Sequence, residues 1–520
     1  MEKIALKVKD LWLGVRNWIK ANPKEAAILA LILLVGAFLR LYKISEYMTF
    51  LGDEGRDAII VRRLLAFGDP ILIGPGTSIG DMYLGPLYYY MMAPALFLAG
   101  YSPIGPSVQI ALLGVASIAL VYFIGKEWFG IWGAALGAFL YAISPTIIIY
   151  SRSSWNPNIM PFFALVCIYS LWRVWQARQW RWLNVLAISF AFALQSHYLA
   201  LLLAPTLGLF WFLSLIRAKN KGLGIKEYIK TSSVALVVFL ALMSPLVIFD
   251  ARHGFRNFSS MKKFFAERQT TVSARPWNAL PKLPELSTKI TSRLVTGRND
   301  AAARTAAAAL LVLIGWLVVF RRKSLGQKEK AAYLLLASWL GFALLGLGLY
   351  KQEIYDHYYG FFFAAPFLLI AGLSQEIFKT KNRGLIILLA IGALLLAWVN
   401  IKDNPLRYPG NKQLQRSQTV ADKIQEESKG ERFNLAVIAE RNYEDGYQYF
   451  LEKEEAPVVD IDAQKPETIT DQLFVVCELP REKCDPTHSP KAEVANFGWT
   501  KIENEWEVSG VILYKLIHSK

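Results

Sequence analysis

The sequence predicts an all-α polytopic membrane domain of about eleven transmembrane helices, followed by a small soluble α/β domain. Three observations predict it. The chain has 520 residues, of which 54% are hydrophobic and only 19% charged, whereas a soluble chain of this length would carry far more charge. The apolar residues fall into runs of about 17–25, the length a helix needs to cross about 30 Å of hydrocarbon. Beyond Asn400 the character changes, and polar helical stretches alternate with short apolar strands.

The N-terminal segment, 1–23, begins MEKIALKVKD, basic and amphipathic. The first apolar run, Ala26 to Leu41, carries no small-residue cleavage site and reads as a retained anchor. Spans are expected at 24–42, 104–124, 130–149, 158–176, 183–197, 199–216, 231–249, 303–320, 331–350, 359–377 and 384–400. If the N-terminus is cytoplasmic, the inside loops hold twenty-two Lys and Arg, against Lys43, Arg152 and Lys351 in the short stretches outside. That asymmetry sets the orientation in an inner or plasma membrane. It also accounts for the net charge of +16 without invoking nucleic acid. Three cysteines with no CxxC pair argue against a structural zinc site. The run PLYYYMMAPALFLAG, Pro86 to Gly100, is short for a span and crowded with tyrosine, and is read as a helix in the outer interface.

Two long segments, 43–103 and 250–302, fall outside the cytoplasm, and loops of that length are uncommon without a function. The tail, 401–520, has strand-like runs at 433–439, 457–461, 472–477 and 511–517, with a helical stretch from Tyr443 to Lys453. An odd number of spans places it outside as well. Cys477 and Cys484 belong to it, and an oxidising compartment would let them pair, although two free thiols fit the sequence equally.

Residues 50–67, FLGDEGRDAIIVRRLLAF, read as an amphipathic helix from Asp53 onward. Asp53 and Glu54 then sit at its start, where a capping carboxylate is the ordinary reading and a positioned base the functional one. Asp81, in GDMYLGPLYYY, is a further acid that ordinary turn chemistry also explains. Three of the five histidines, His197, His253 and His357, map to the same outer face, each with polar neighbours. Singly each would be an interfacial anchor. Together with the acids they suggest a polar site that would suit a phosphate or a divalent metal, although no single segment has metal-ligand spacing.

The acidic pair just after the first span, GPLYYY before the next, SRSSWNPN, QSHYLALLLAP, FDARHGFRN and DHYYGFFFAAPFLL together resemble the GT-C superfamily of membrane glycosyltransferases over roughly residues 24–400. The nearest branch holds the dolichyl-phosphate-mannose protein mannosyltransferases and the lipid A aminoarabinose transferases. The resemblance implies an inverting enzyme that moves a sugar from a polyprenyl-phosphate donor to an acceptor hydroxyl on a protein, lipid or polysaccharide. It implies Asp53 as base, with Glu54 in support and Asp81 as a second acid. Arg252, His253, His357 and Arg152 would face the donor phosphate. Tyr83, Tyr88, Gln195, His197 and Tyr358 would line the pocket. The rival readings are a transporter or flippase, which would need ionisable residues and broken helices at mid-bilayer, and a non-catalytic lipid-linked glycan-binding protein.

Overall fold

The computed structural model describes residues 13–77, 82–220, 224–266, 271–273 and 275–519. Each of the eleven expected segments is helical, but fewer qualify as spans. Among the described residues seven helices are long and apolar enough to cross a membrane, and an eighth is reached if the bent pair Asp356–Phe362 and Ala365–Thr380, inclined at 55°, counts as one. The chain is therefore a multi-pass integral membrane protein with fewer clear spans than eleven. The shortfall has physical causes. Helix α1 (Pro23–Leu41) carries Lys24, Glu25 and Arg40, Pro145 breaks the 130–149 run after Ile143, and the 183–197 segment yields only the fifteen-residue Trp182–Ser196.

After α1 and the single turn Ile44–Tyr47 come two helices, α2 (Gly52–Phe67) and α3 (Leu87–Leu98). At twelve residues α3 is about 18 Å long, too short to cross. It leads into α4 (Ile104–Trp128) and α5 (Ile131–Ile143). Small residues set the packing there. A Cβ on Gly133 would lie 2.0 Å from the Ala371 carbonyl oxygen, and one on Gly137 2.6 Å from that of Phe367. The Gly-x-x-x-Gly spacing thus lets α5 and the Ala365–Thr380 helix meet backbone to backbone. Around this seam the core gathers Tyr122, Trp128, Trp172, Trp339, Phe361 and Phe367. By contrast Ile225–Arg252, Asp300–Arg321 and Arg383–Lys402 are little buried by the protein. Their exposed Leu236, Val237, Leu311, Val312, Leu394 and Leu395 are the faces that meet lipid.

Segment 250–302 is largely helical where described, with Arg256–Ala266 and Leu283–Ile290 as its regular pieces. Its end is pulled into the core. Ser144 and Thr146 donate to the carbonyls of Leu294 and Arg293, at 2.7 and 2.6 Å, and Asn400 donates to that of Val295 at 2.7 Å.

The tail forms one four-stranded sheet, β1 (Asn434–Ile438), β2 (Gln472–Cys477), β3 (Thr500–Val508) and β4 (Val511–His518), in the order β1-β2-β4-β3. Only β1 and β2 run parallel. The expected strand at 457–461 is reduced to a single bridge, Phe433 to Val458, and β3 replaces it as the fourth strand. Helices Gln413–Ser428 and Asp445–Lys453 cover one face of the sheet, where Val420, Ile424, Tyr447, Leu451, Phe474 and Leu513 form a core continuous with outer residues of the membrane domain. Cys477 and Cys484 are joined in a disulfide. Closing so short a loop is worth about 2.5 kcal/mol by chain entropy. Replacing both cysteines by alanine is therefore expected to lower the unfolding free energy by about that amount, read as a lower melting midpoint for the tail domain in detergent.

Candidate active site

The start of α2 is held by residues other than the one the sequence puts forward as a cap. The Glu54 carboxylate reaches back to the Leu51 N–H at 3.1 Å, and Asn442, from the tail domain, accepts the Gly52 N–H at 2.9 Å. These two bonds satisfy amides a helix start leaves open. Asp53 is released from capping. Its Oδ1 accepts from Arg56 at 2.8 Å and from the Tyr443 hydroxyl. Among the described residues no hydrogen bond reaches Oδ2, and the side chain is 42% exposed. One oxygen is fixed and the other is presented outward.

Glycine permits this contact on both sides of the acid pair. A Cβ on Gly52 would lie 2.4 Å from the Tyr443 ring, and one on Gly55 2.3 Å from the Asp445 carbonyl oxygen. Arg56 links the layers, pairing with Asp53 and, at 2.7 Å, with the fully buried Asp57, which also accepts from Tyr89 at 3.0 Å. Burial, opposed by the Leu51 amide and helped by the Asp53 charge, pushes the Glu54 carboxyl up to about 7. Burial likewise raises Asp57 to about 6, against the pull of Arg56. Burial and then Glu444 raise Asp445 to about 7. Three carboxyls therefore release protons close to neutrality around Asp53.

A second patch adjoins the first. Next to Tyr89, the Tyr88 hydroxyl meets the Ser154 hydroxyl at 2.7 Å. Next to Ser154, the Trp155 ring lies 4.7 Å from that of His357, which in turn neighbours Tyr358 at 4.6 Å and His197 at 5.6 Å. The segment SRSSWNPN is the brace between them, since Asn156 also donates to the Ser196 carbonyl at 2.7 Å. Asp356, beside His357, pairs with Arg293 and Arg298, each at 3.4 Å. Arg298, Lys402, Arg407 and Tyr408 line a cavity of about 370 Å³. The Tyr408 carbonyl accepts from Tyr47, and Gln413 accepts from the Phe50 amide, so this basic cavity borders the strand of chain that leads into Asp53.

The remaining expected residues divide. Arg152 is buried, and its guanidinium donates to the carbonyls of Leu39 and Tyr42, 2.6 Å each, closing the end of α1. Gln195 is also structural, clamping the Gly85–Leu87 turn through the Leu87 amide at 3.2 Å and the Leu242 carbonyl at 2.9 Å. His197 Nδ1 accepts the Leu199 N–H at 3.1 Å, so that nitrogen carries no proton. His253 stacks on Phe249 at 4.0 Å with Nδ1 against the Phe249 carbonyl, and Arg252 is exposed beside it. Phe249 in turn meets the Tyr83 ring at 5.9 Å, and Tyr83 is held by Asn257, which accepts its amide at 2.8 Å, and by Tyr198, which donates to its carbonyl at 2.5 Å. Asp81 lies outside the described residues. Among the described residues no group of three or more His, Cys, Asp or Glu side chains is arranged to hold a metal ion. Arg56, Asp57, Asn442, Tyr443 and Arg298 escape a reading of the sequence. The two glycines flanking DE were the available signal for the first four.

The family described as dolichyl-phosphate-mannose-protein mannosyltransferase matches residues 84–249, roughly a third of the chain and a part that excludes Asp53. Among curated proteins, none matches the chain. Solved structures share its fold. ArnT from Cupriavidus metallidurans, bound to undecaprenyl phosphate, superposes with a TM-score of 0.59 at 12% identity, covering 95% of this chain and 98% of that one. The archaeal oligosaccharyltransferase AglB from Archaeoglobus fulgidus, in complex with an inhibitory peptide and a dolichol-phosphate, gives 0.52 at 12% identity, covering 89% and 70%.

Two measurements check this geometry. A carboxyl whose folded value is raised stabilises the fold fully below its unfolded value, and that stability is lost as pH rises through the folded one. The melting midpoint in detergent is thus expected to fall from about pH 4 to about pH 7 and to level off above that, and Glu54→Gln to flatten that fall. Arg152→Met, which removes two charge-assisted bonds to carbonyls, is expected to cost on the order of 3 kcal/mol of stability, measured as a lower midpoint with no weakening of phosphate binding.

Proposed function

We propose that the protein is an inverting glycosyltransferase that moves a sugar from a polyprenyl-phosphate donor to an acceptor hydroxyl on the extracytoplasmic face of the membrane. The observation that carries this reading is the Asp53 carboxylate, anchored through one oxygen and open at the other, at the outer end of a fold shared with a lipid-phosphate-bound transferase. The basic loops support a cytoplasmic N-terminus and a tail domain outside.

In this reading Asp53 Oδ2 takes the proton of the acceptor hydroxyl as its oxygen attacks the anomeric carbon. The new carbon–oxygen bond forms as the bond to the phosphate oxygen breaks, and the electron pair leaves on the phosphate. A phosphate is already a good leaving group, so no general acid is required. One displacement from the opposite face inverts the anomeric centre. Glu54 supports the base by fixing the helix start, and Asp81 is kept as a second acid.

The charge that develops on the phosphate needs preorganised cations or hydrogen-bond donors. Arg298, with Lys402 and Arg407 across a cavity that Asp403 also lines, offers a cationic patch near the Asp53 segment. His357 adjoins it through Asp356. Arg252 and His253 stand at the Tyr83 side, where they suit a phosphate approaching from the opposite rim. Trp155, His197 and Tyr358 supply aromatic faces for the sugar, and Tyr83 and Tyr88 line the approach. The acceptor is a protein, lipid or polysaccharide hydroxyl.

The test is release of free polyprenyl phosphate from labelled polyprenyl-phosphate sugars by membranes containing wild type or Asp53→Asn. The expected outcome is turnover by the wild type and a loss of roughly 10³-fold or more in the variant at equal expression. Turnover that survives in Asp53→Asn would remove Asp53 from the chemistry.

A further inference from the structure

The tail domain makes its most intimate contact with the membrane domain at Asp53, a placement that a tethered accessory module would not need. Segment 439–446 joins β1 to the Asp445–Lys453 helix and lies across the first turn of α2. Asn442 caps the Gly52 amide at 2.9 Å while its own side-chain nitrogen donates to Glu478 at 2.7 Å. Glu478 also accepts from Tyr447 at 2.6 Å, so the segment is braced from within its domain. Tyr443 places its ring over Gly52 and its hydroxyl between Arg56, at 3.3 Å, and Asp53 Oδ1. Farther along α2, Arg63 forms a two-point bond to Glu452, at 2.6 and 3.2 Å, and fixes the same two elements at a second place. Phe50 packs edge-on against Tyr449 and Phe450 below them.

We infer that the tail domain is a working part of the active site, with Tyr443 the positioning residue that sets the rotamer of Asp53 and segment 439–446 a wall of the acceptor site. The inference rests on the transferase reading above. A base must meet its proton within hydrogen-bond reach and in one orientation. A carboxylate on a solvent-exposed helix start turns freely about its side-chain bonds. Arg56 alone holds Asp53 from its own helix, one turn on, and is itself shared with Asp57. The Tyr443 hydroxyl adds a second point from a different domain, and two points on Oδ1 direct Oδ2 outward. The charged and titratable groups that face this carboxylate are Arg56, Glu54 and Asp57 from α2, Tyr89 from α3 behind Asp57, and Tyr443 and Asp445 from the tail.

The experiment uses the full chain in proteoliposomes with a labelled polyprenyl-phosphate sugar, comparing wild type, Asp53→Asn, Tyr443→Phe, Tyr443→Ala and Asn442→Ala. Tyr443→Phe keeps the ring over Gly52 and removes only the hydroxyl. It is expected to lower kcat roughly 10- to 100-fold with the donor KM unchanged. A Tyr443→Phe protein within twofold of wild type in kcat would overturn the positioning role while leaving the transferase reading intact. Wild-type protein that releases no polyprenyl phosphate from any donor would instead overturn the transferase reading and Tyr443's catalytic meaning with it. Amide exchange on the same proteins tests the docking independently. Faster exchange of residues 51–55 in Tyr443→Ala and Asn442→Ala supports the docked wall, and unchanged protection overturns it.

Discussion

Close approach of two backbones at Gly52 and Gly55 is the constraint on which the arrangement of the site depends. Any side chain at either position would need space already filled by Tyr443 or by the Asp445 carbonyl. With both positions bare, a loop of the tail domain reaches the first turn of α2 and takes over its capping. That in turn frees Asp53, the one acid of the cluster that is substantially exposed. Glu54 and Asp57, a few residues away, are buried and committed to an amide and a guanidinium. Three similar side chains on one helix turn are thus divided by environment into one that faces outward and two that hold it in place.

The segment SRSSWNPN plays the corresponding part for the membrane helices. Within five residues it closes α1 through Arg152, meets α3 through Ser154, touches the His357 cluster through Trp155 and ties the end of the Trp182–Ser196 helix through Asn156. These bonds run to four separate elements, so a short piece of chain ties all four together.

Much of the architecture was legible in the sequence because hydropathy along a membrane helix is a strong local signal. All eleven apolar runs are helical. Their count as spans failed where length and charge conflict with apolarity, as in α1 with Lys24, Glu25 and Arg40, and where Pro145 interrupts a run. In the tail, β1, β2 and β4 stood out as buried apolar strands. Strand β3, TKIENEWEV, did not, since nearly all of it is exposed and polar. The sequence shows acids, histidines and arginines near the ends of apolar runs by type, but not the partners that hold them. Arg152 and Gln195 look like ligands in sequence because they are polar near a span end, and only tertiary contacts reveal the carbonyls and the turn they bond. Tyr443 lies 390 positions from Asp53, a separation at which no spacing argument operates.

The disulfide lies at the far end of the same chain of contacts. Glu478 directly follows Cys477, within the loop the bridge closes, and it is Glu478 that holds Asn442 and Tyr447. Thiols pair only where the surroundings oxidise them. The geometry at Asp53 is therefore tied, through one carboxylate, to the redox character of the compartment in which the tail folds. A chain whose two cysteines stay reduced would hold Asn442 and Asp53 without that last brace, so the cluster around Asp53 would reach its final form only once the tail stands in oxidising surroundings.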